Sequence, residues 1–277
     1  MIGIFDSGVG GLSVLRALWQ ELPEQRFIYV ADQAHVPYGP RPVEEVRRFS
    51  VEITRYLLSQ GADLIVVACN TASAAALHHL RQVFPQTPFV GMEPAVKPAA
   101  QQTRSGRVGV LATPATFQGA LYASVVERFA NGVELFQHTC PGLVAQIEAG
   151  LLDAPETRAI LEDALMPMLS QGIDTVVLGC THYPFVIPLI QQITGPQVQV
   201  IDPAPAVARQ ARRVLESQAL SGVAQAGAAS QPGEQRTTFL TTARAGSLAA
   251  ILPQMLGVQA KVRHLAWKKS TRLAKTG

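Results

Sequence analysis

Cys69 and Cys180 close two near-identical stretches, "LSQGADLIVVACNT" (58–71) and "LSQGIDTVVLGCTH" (169–182). Each is an apolar run ending in a thiol and then in hydrogen-bonding residues, Asn70-Thr71 in the first and Thr181-His182 in the second. The thiols stand 111 residues apart at matching places in two similar units. Two equivalent acid/base groups brought to one cleft from opposite sides suit a two-sided proton transfer. One face of a carbon loses a proton while the other receives one. A thiol can serve near neutrality because its ordinary pKa, about 8.5, leaves an accessible thiolate fraction.

A lone free cysteine is more often a small buried hydrophobe, and that reading fits Cys140, which has no counterpart. His182 alone would ordinarily be structural. Close to Cys180 in the chain, it can shift the thiol's protonation or assist proton transfer. A cysteine protease needs one nucleophile and a separate base, which two matched cysteines do not suggest. No C-x-x-C or H-x-x-x-H spacing supports a zinc site, and His78-His79 reads as surface.

The first apolar run ends in Asp6-Ser7 and opens the turn "DSGVGG" (6–11). The turn fails G-x-G-x-x-G because Ser13 takes the third glycine place, and no P-loop Lys-Ser/Thr follows. A carboxylate at Asp6 suits an ammonium group better than a phosphate. The ordinary reading of the turn, a backbone needing positive φ, covers Gly10 or Gly11 but not Asp6-Ser7.

These residues must be positioned by strands. Short Val- and Ile-rich runs at 2–5, 27–30, 64–68, 88–91, 107–112, 133–136, 174–179 and 198–201 predict buried strands. Amphipathic stretches at 11–22, 43–59 and 155–170 predict helices between them, and 237–242 and 261–266 predict two further strands around a helix at 244–256. Such alternation, with strands apolar throughout, predicts parallel sheets covered by helices. "IGIFDS" matches "VGVLAT" and "MEPAV" matches "IDPAP" at offsets of 106 and 109 residues, close to the 111 of the cysteines. That near constancy predicts a duplicated α/β unit. Ligands of such sheets bind beyond the carboxyl ends of the strands. Those ends carry Asp6-Ser7, Cys69-Asn70-Thr71, Thr113 and Cys180-Thr181-His182, with Pro37-Tyr38-Gly39 in the loop after the second strand.

Composition narrows the class. Charged residues make up 16% of the 277 residues, below the usual ~25%, and net charge is +3. A compact fold is expected, with no nucleic acid as partner. Three cysteines without close pairs, no signal-peptide pattern and no long apolar span predict free thiols, no membrane contact and a cytoplasmic protein. Residues 221–236 read as a low-complexity loop and the basic residues after 266 as a solvated tail.

The stretches "DSGVGGLSV", "VPYGPRP", "VVACNTASA", "LATPATF", "LVAQIEAG", "LGCTHYPF" and "IDPA", in this order, closely resemble the glutamate racemases of the cofactor-independent aspartate/glutamate racemase superfamily. The resemblance implies two pseudo-symmetric parallel-sheet α/β domains with the active site in the cleft between them. It assigns 1–95 plus 206–265 to the first domain, 96–205 to the second and 266–277 to a basic tail. It implies interconversion of L- and D-glutamate by two bases, no cofactor and no metal, and D-glutamate supply for peptidoglycan. By this resemblance Cys69 works on the D-enantiomer and Cys180 on the L-enantiomer, with Asp6 and His182 assisting and Glu148 an acidic neighbour counted with them. Asp6, Ser7, Tyr38, Gly39, Asn70, Thr71, Thr181 and His182 match substrate-binding positions. A homodimer is allowed but not demanded. The rival readings are a superfamily racemase for aspartate or a hydantoin, and a non-catalytic nucleotide- or effector-binding α/β protein.

Overall fold

The computed structural model describes residues 1–220, 233–268 and 272–275. The first elements are β1 (Ile2–Asp6), α1 (Leu12–Glu21), β2 (Phe27–Ala31), α2 (Val43–Ser59), β3 (Leu64–Val67), α3 (Asn70–Val83), β4 (Phe89–Gly91) and α4 (Val96–Gln102). A second run follows: β5 (Arg107–Ala112), α5 (Pro114–Gln118), α6 (Ala120–Phe129), β6 (Glu134–His138), α7 (Leu143–Glu148), α8 (Pro155–Ser170), β7 (Thr175–Gly179), α9 (Ile187–Thr194) and β8 (Gln199–Ile201). The chain then adds α10 (Ala204–Leu220), β9 (Thr237–Thr241), α11 (Ala245–Leu256), β10 (Val262–Lys268) and β11 (Arg272–Lys275).

Among the described residues the strands form two sheets, ordered β11-β10-β9-β2-β1-β3-β4 and β6-β5-β7-β8. The run β2-β1-β3-β4 in the first repeats as β6-β5-β7-β8 in the second. The molecule is therefore two pseudo-symmetric α/β halves, as the internal sequence repeat predicts. Every pairing is parallel except β10 with β11. Strands β1, β2, β3 and β7 are buried along their whole length. Helices on both faces explain why they read as unbroken apolar runs rather than alternating ones. The edge strands β6 and β8 are only half-buried, against the expectation for 133–136 and 198–201, because each is covered on one side by a single neighbour.

Parallel register delivers the polar strand ends together. Asp6 pairs with Ala31, and Ala31 with Thr241. Asp6-Ser7, Asp32-Gln33 and Thr241-Thr242 thus emerge side by side on one sheet edge. In the second sheet Ala112 pairs with Gly179, which sets Thr113 beside Cys180.

The stretch after 266 corrects an expectation. Residues 266–268 continue β10, and β11 returns antiparallel with Leu273 opposite Trp267. Leu273 is buried and packs with Phe49 and Leu265, while the Trp267 ring lies against Phe49 and its N–H donates to Asp32 Oδ1 at 2.8 Å. The edge strand is therefore anchored by Leu273, although its sequence, Arg-Leu-Ala-Lys, carries as many basic residues as apolar ones. Residues 269–271, 276–277 and 221–232, the last being most of the expected loop, lie outside the described residues. Residues 233–236 form a 3-10 turn.

Candidate active site

Cys69 leaves β3 and becomes the N-cap of α3, where its Sγ accepts the Ala72 N–H at 3.4 Å. Ser7 Oγ lies 3.8 Å away. A helix N-terminus favours a thiolate. Burial and the neighbouring Asp6 carboxylate outweigh it and push the Cys69 thiol well above its ordinary value. Asp6 is fully buried; its Oδ2 accepts the Gly11 N–H at 2.7 Å and its Oδ1 faces Ser7 Oγ at 3.4 Å. Burial raises its pKa, partly offset by the charge of His182 and the Gly11 bond. A buried carboxylate and a buried thiol side by side disfavour charge on one another, and a further cation brought near them would favour the charged forms.

The opposite wall is electrostatically different. Cys180 follows β7, and His182 Nδ1 lies 3.8 Å from its Sγ. The other ring nitrogen, Nε2, is 2.7 Å from Glu148 Oε1. Burial alone would lower the imidazole pKa; hydrogen bonds to Cys180 and Glu148 outweigh it and hold His182 well above its ordinary value. Burial alone would raise Glu148; the His182 bond leads the contacts that outweigh it and lower its pKa. Glu148 ends α7, yet its carboxylate also accepts the Val9 N–H at 2.7 Å and the Gln33 side-chain amide at 3.0 Å. It therefore ties the second half of the molecule to the first.

Between these walls lies one narrow cavity of about 20 Å³, bordered by Ser7, Tyr38, Gly39, Cys69, Asn70, Thr71, Cys180, Thr181 and His182 among others. That is room for about one water molecule and far below the ~300 Å³ at which small-ligand pockets usually begin, so the walls must part to admit a ligand. Both amide atoms of Asn70 are buried there without a hydrogen-bond partner. Each such atom costs about 1–3 kcal/mol until something pairs with it. Thr71 Oγ1 meets Thr113 Oγ1 across the cleft at 3.1 Å. Thr181 precedes a 3-10 turn (Tyr183–Val186) rather than an α-helix, and its carbonyl accepts Ser13 Oγ at 3.0 Å. Tyr38 borders the cavity, but its hydroxyl is used elsewhere, donating to Asp32 Oδ2 at 2.6 Å. Cys140 is buried in the wall of a neighbouring groove, its thiol pushed up to about 12 by burial, and does not border this cavity.

Asp6 and Glu148 do not border the cavity; they lie behind it, against Cys69 and His182. The sequence reading missed Asp32 and Gln33, which support Tyr38 and Glu148. The missed signal was positional: Asp32-Gln33 follow β2 as Ser7 follows β1.

The glycine turn also differs from expectation. Neither Gly10 nor Gly11 has positive φ. Closeness is the constraint instead. A Cβ on Gly10 would strike the His182 ring and come within 2.6 Å of Thr181 Oγ1, both from the other half. Gly39, by contrast, has its nearest neighbour at an ordinary 3.6 Å. Gly10→Ala is predicted to cost about 1–3 kcal/mol, the usual penalty of overpacking. Gly39→Ala should stay within about 0.5 kcal/mol. Urea unfolding of the two variants is the check, and equal midpoints would remove the packing argument.

Two duplicated α/β halves that present matched thiols to one cleft define a class, and comparison with known sequences agrees. The family model described as Asp/Glu/Hydantoin racemase matches residues 3–211, and the chain belongs to that family. Glutamate racemase of Pseudomonas aeruginosa is 51% identical over 264 residues, covering 95% of this chain and 97% of that one. The crystal structure of a glutamate racemase isoform from Bacillus anthracis superposes with a TM-score of 0.80 at 32% identity, over 95% of this chain and 96% of that one. Glutamate racemase of Escherichia coli, solved with L-glutamate and the activator UDP-MurNAc-ala, gives a TM-score of 0.81 at 31% identity, over 100% of this chain and 98% of that one.

Proposed function

We infer that the protein is a glutamate racemase, an isomerase that interconverts L- and D-glutamate with two cysteines and no cofactor. The observation that carries this reading is the single cavity bordered by both Cys69 and Cys180. Inversion at the α-carbon needs proton removal on one face and delivery on the other. In one direction a Cys69 thiolate takes the α-proton of D-glutamate and leaves the electron pair on carbon. The Cys180 thiol then delivers its proton to the opposite face, and the product leaves with thiol and thiolate exchanged. The L-enantiomer uses the same path backwards. Enantiomers have equal free energy, so nothing need drive the reaction.

The residues around the thiols fit an amino acid. The substrate ammonium brings a cation towards Asp6 and Cys69, and its approach favours the Cys69 thiolate. The unpaired Asn70 amide, with Thr71 and Thr181 beside it, can meet carboxylate and ammonium. The α-proton is far less acidic than any thiol. Positioned acid/base groups contribute on the order of 10²–10⁴-fold. Hydrogen-bond donors held in a water-poor cleft supply the rest.

The domain division, 1–95 plus 206–265 against 96–205, draws support from the two sheets, with 262–268 and 272–275 added to the first. Use of the product in peptidoglycan synthesis, a cytoplasmic location and a homodimer belong to the same reading. Among the described residues no helix is long and apolar enough to cross a membrane.

Circular dichroism of L- or D-glutamate incubated with the protein, no cofactor added, is the test. The signal of either enantiomer should decay to zero. Decay with aspartate and none with glutamate would move the assignment to another member of the family.

A further inference from the structure

Gln33 is half-buried at the end of β2, and a chain of hydrogen bonds passes through it. Thr241, at the end of β9, is fully buried; its Oγ1 accepts the Ala243 N–H at 3.2 Å and donates to Gln33 Oε1 at 2.8 Å. Gln33 Nε2 then donates to Glu148 Oε2 at 3.0 Å. Glu148 Oε1 is left to receive Val9 N–H and His182 Nε2, both at 2.7 Å. His182 Nδ1 completes the path at 3.8 Å from Cys180 Sγ. The orientation of the Gln33 amide follows from chemistry, because an ionised carboxylate can only accept and so must face the NH₂ group. Around Cys69 the direct contacts are different ones, Asp6, Ser7 and the Ala72 N–H, although the charges of His182 and Glu148 reach Asp6.

A glutamate at the end of a helix has a freely turning carboxylate unless both oxygens are held. Gln33 holds the one that His182 does not use. We propose that Gln33 is a positioning residue for the Cys180 side of the reaction, holding Glu148 so that the His182 ring stays aimed at the Cys180 sulfur. Thr241 orients Gln33 in turn, which makes the strand added late in the chain part of the proton-transfer apparatus. The inference rests on the two-cysteine reading above and goes beyond it by adding a residue whose direct bonds serve the Cys180 wall alone.

The test uses Gln33→Leu and Thr241→Val, each close in size and lacking the hydrogen-bonding group. Loss of a hydrogen bond to a charged group predicts about a 10–100-fold fall in kcat/KM for Gln33→Leu. The fall must be equal in both directions, because the equilibrium constant between enantiomers is one. The position of the slow step is what separates the walls. With [2-²H]-L-glutamate, whose proton goes to Cys180, the deuterium isotope effect on kcat/KM should rise. With [2-²H]-D-glutamate, whose proton goes to Cys69, it should fall towards unity. Thr241→Val should show the same pattern with smaller amplitude. A merely loosened cleft would raise KM for both enantiomers and move both isotope effects alike, and that result overturns the inference. So do variants that match the wild type while the wild type racemises normally, a result that leaves the racemase reading intact. A wild-type protein inert towards both enantiomers overturns that reading and this inference with it.

Discussion

Cys69→Ser and Cys180→Ser are each expected to lose racemisation by at least about 10²–10⁴-fold, the range that a positioned acid or base supplies. A hydroxyl is a far weaker acid than a thiol, and both faces of the α-carbon must be served for inversion. The loss should nevertheless be one-sided in an informative way. The thiol that remains can still take the α-proton of the enantiomer it faces and return a deuteron from D₂O to the same face. Cys69→Ser should therefore exchange the α-proton of L-glutamate without inverting it, and Cys180→Ser that of D-glutamate. Proton NMR in D₂O follows the exchange, and chiral chromatography follows the inversion. If either variant kept near-wild-type racemisation, one cysteine would suffice and the assignment of two bases would be wrong.

Breaking the ion pair between Glu148 and His182 should have the largest effect on stability. The His182 and Glu148 side chains are only 3% and 13% exposed. Removing one member of a buried pair commonly costs about 3–5 kcal/mol because the other charge is stranded. Glu148→Gln keeps the size and removes the charge. His182 is raised above its ordinary 6.5, so its contribution is complete below that pH and fades as pH climbs through the folded value. Glu148 is lowered below its ordinary 4.5, so its contribution is complete above that pH and fades on acidification. The gap in unfolding free energy between wild type and Glu148→Gln should be widest between pH 4.5 and 6.5 and shrink above, where the imidazole of the variant can simply lose its proton. Urea unfolding over pH 4.5–9 measures it. A gap independent of pH would mean that packing, not charge, holds Glu148 in place.

Much of the site was readable from the sequence because its signals are local. A strand long enough to be buried on both faces must be apolar throughout, so β1, β3, β5 and β7 stand out, as do the polar residues that end them. The parallel-sheet rule then places Asp6, Ser7, Cys69, Asn70, Thr71, Thr113, Cys180, Thr181 and His182 at strand ends. Repetition of the cysteine-ended stretch distinguishes Cys69 and Cys180 from Cys140, although all three are buried. Asp32 and Gln33 escaped because, Tyr38 and His35 apart, their partners Trp267, Thr242, Thr241 and Glu148 lie more than 100 residues away. Nothing in the local pattern "VADQAH" separates a residue that supports the site from one facing solvent. Strand β10 was foreseen over 261–266, but its return strand β11 escaped because only Leu273 and Ala274 are apolar among the basic residues after 267.

The sequence by itself determined the class of fold, its duplication and the two thiols, because strand burial, period and internal repetition are written in consecutive residues. Only the tertiary structure decided what surrounds each thiol: Asp6 beside Cys69 on one wall, and His182, bonded to Glu148, beside Cys180 on the other. It also decided why Gly8 and Gly10 must lack side chains, since the obstacles are Glu148 and His182 from the opposite half. A pKa and a clash depend on distances through space, and the residues that set them here come together only when the two sheets meet.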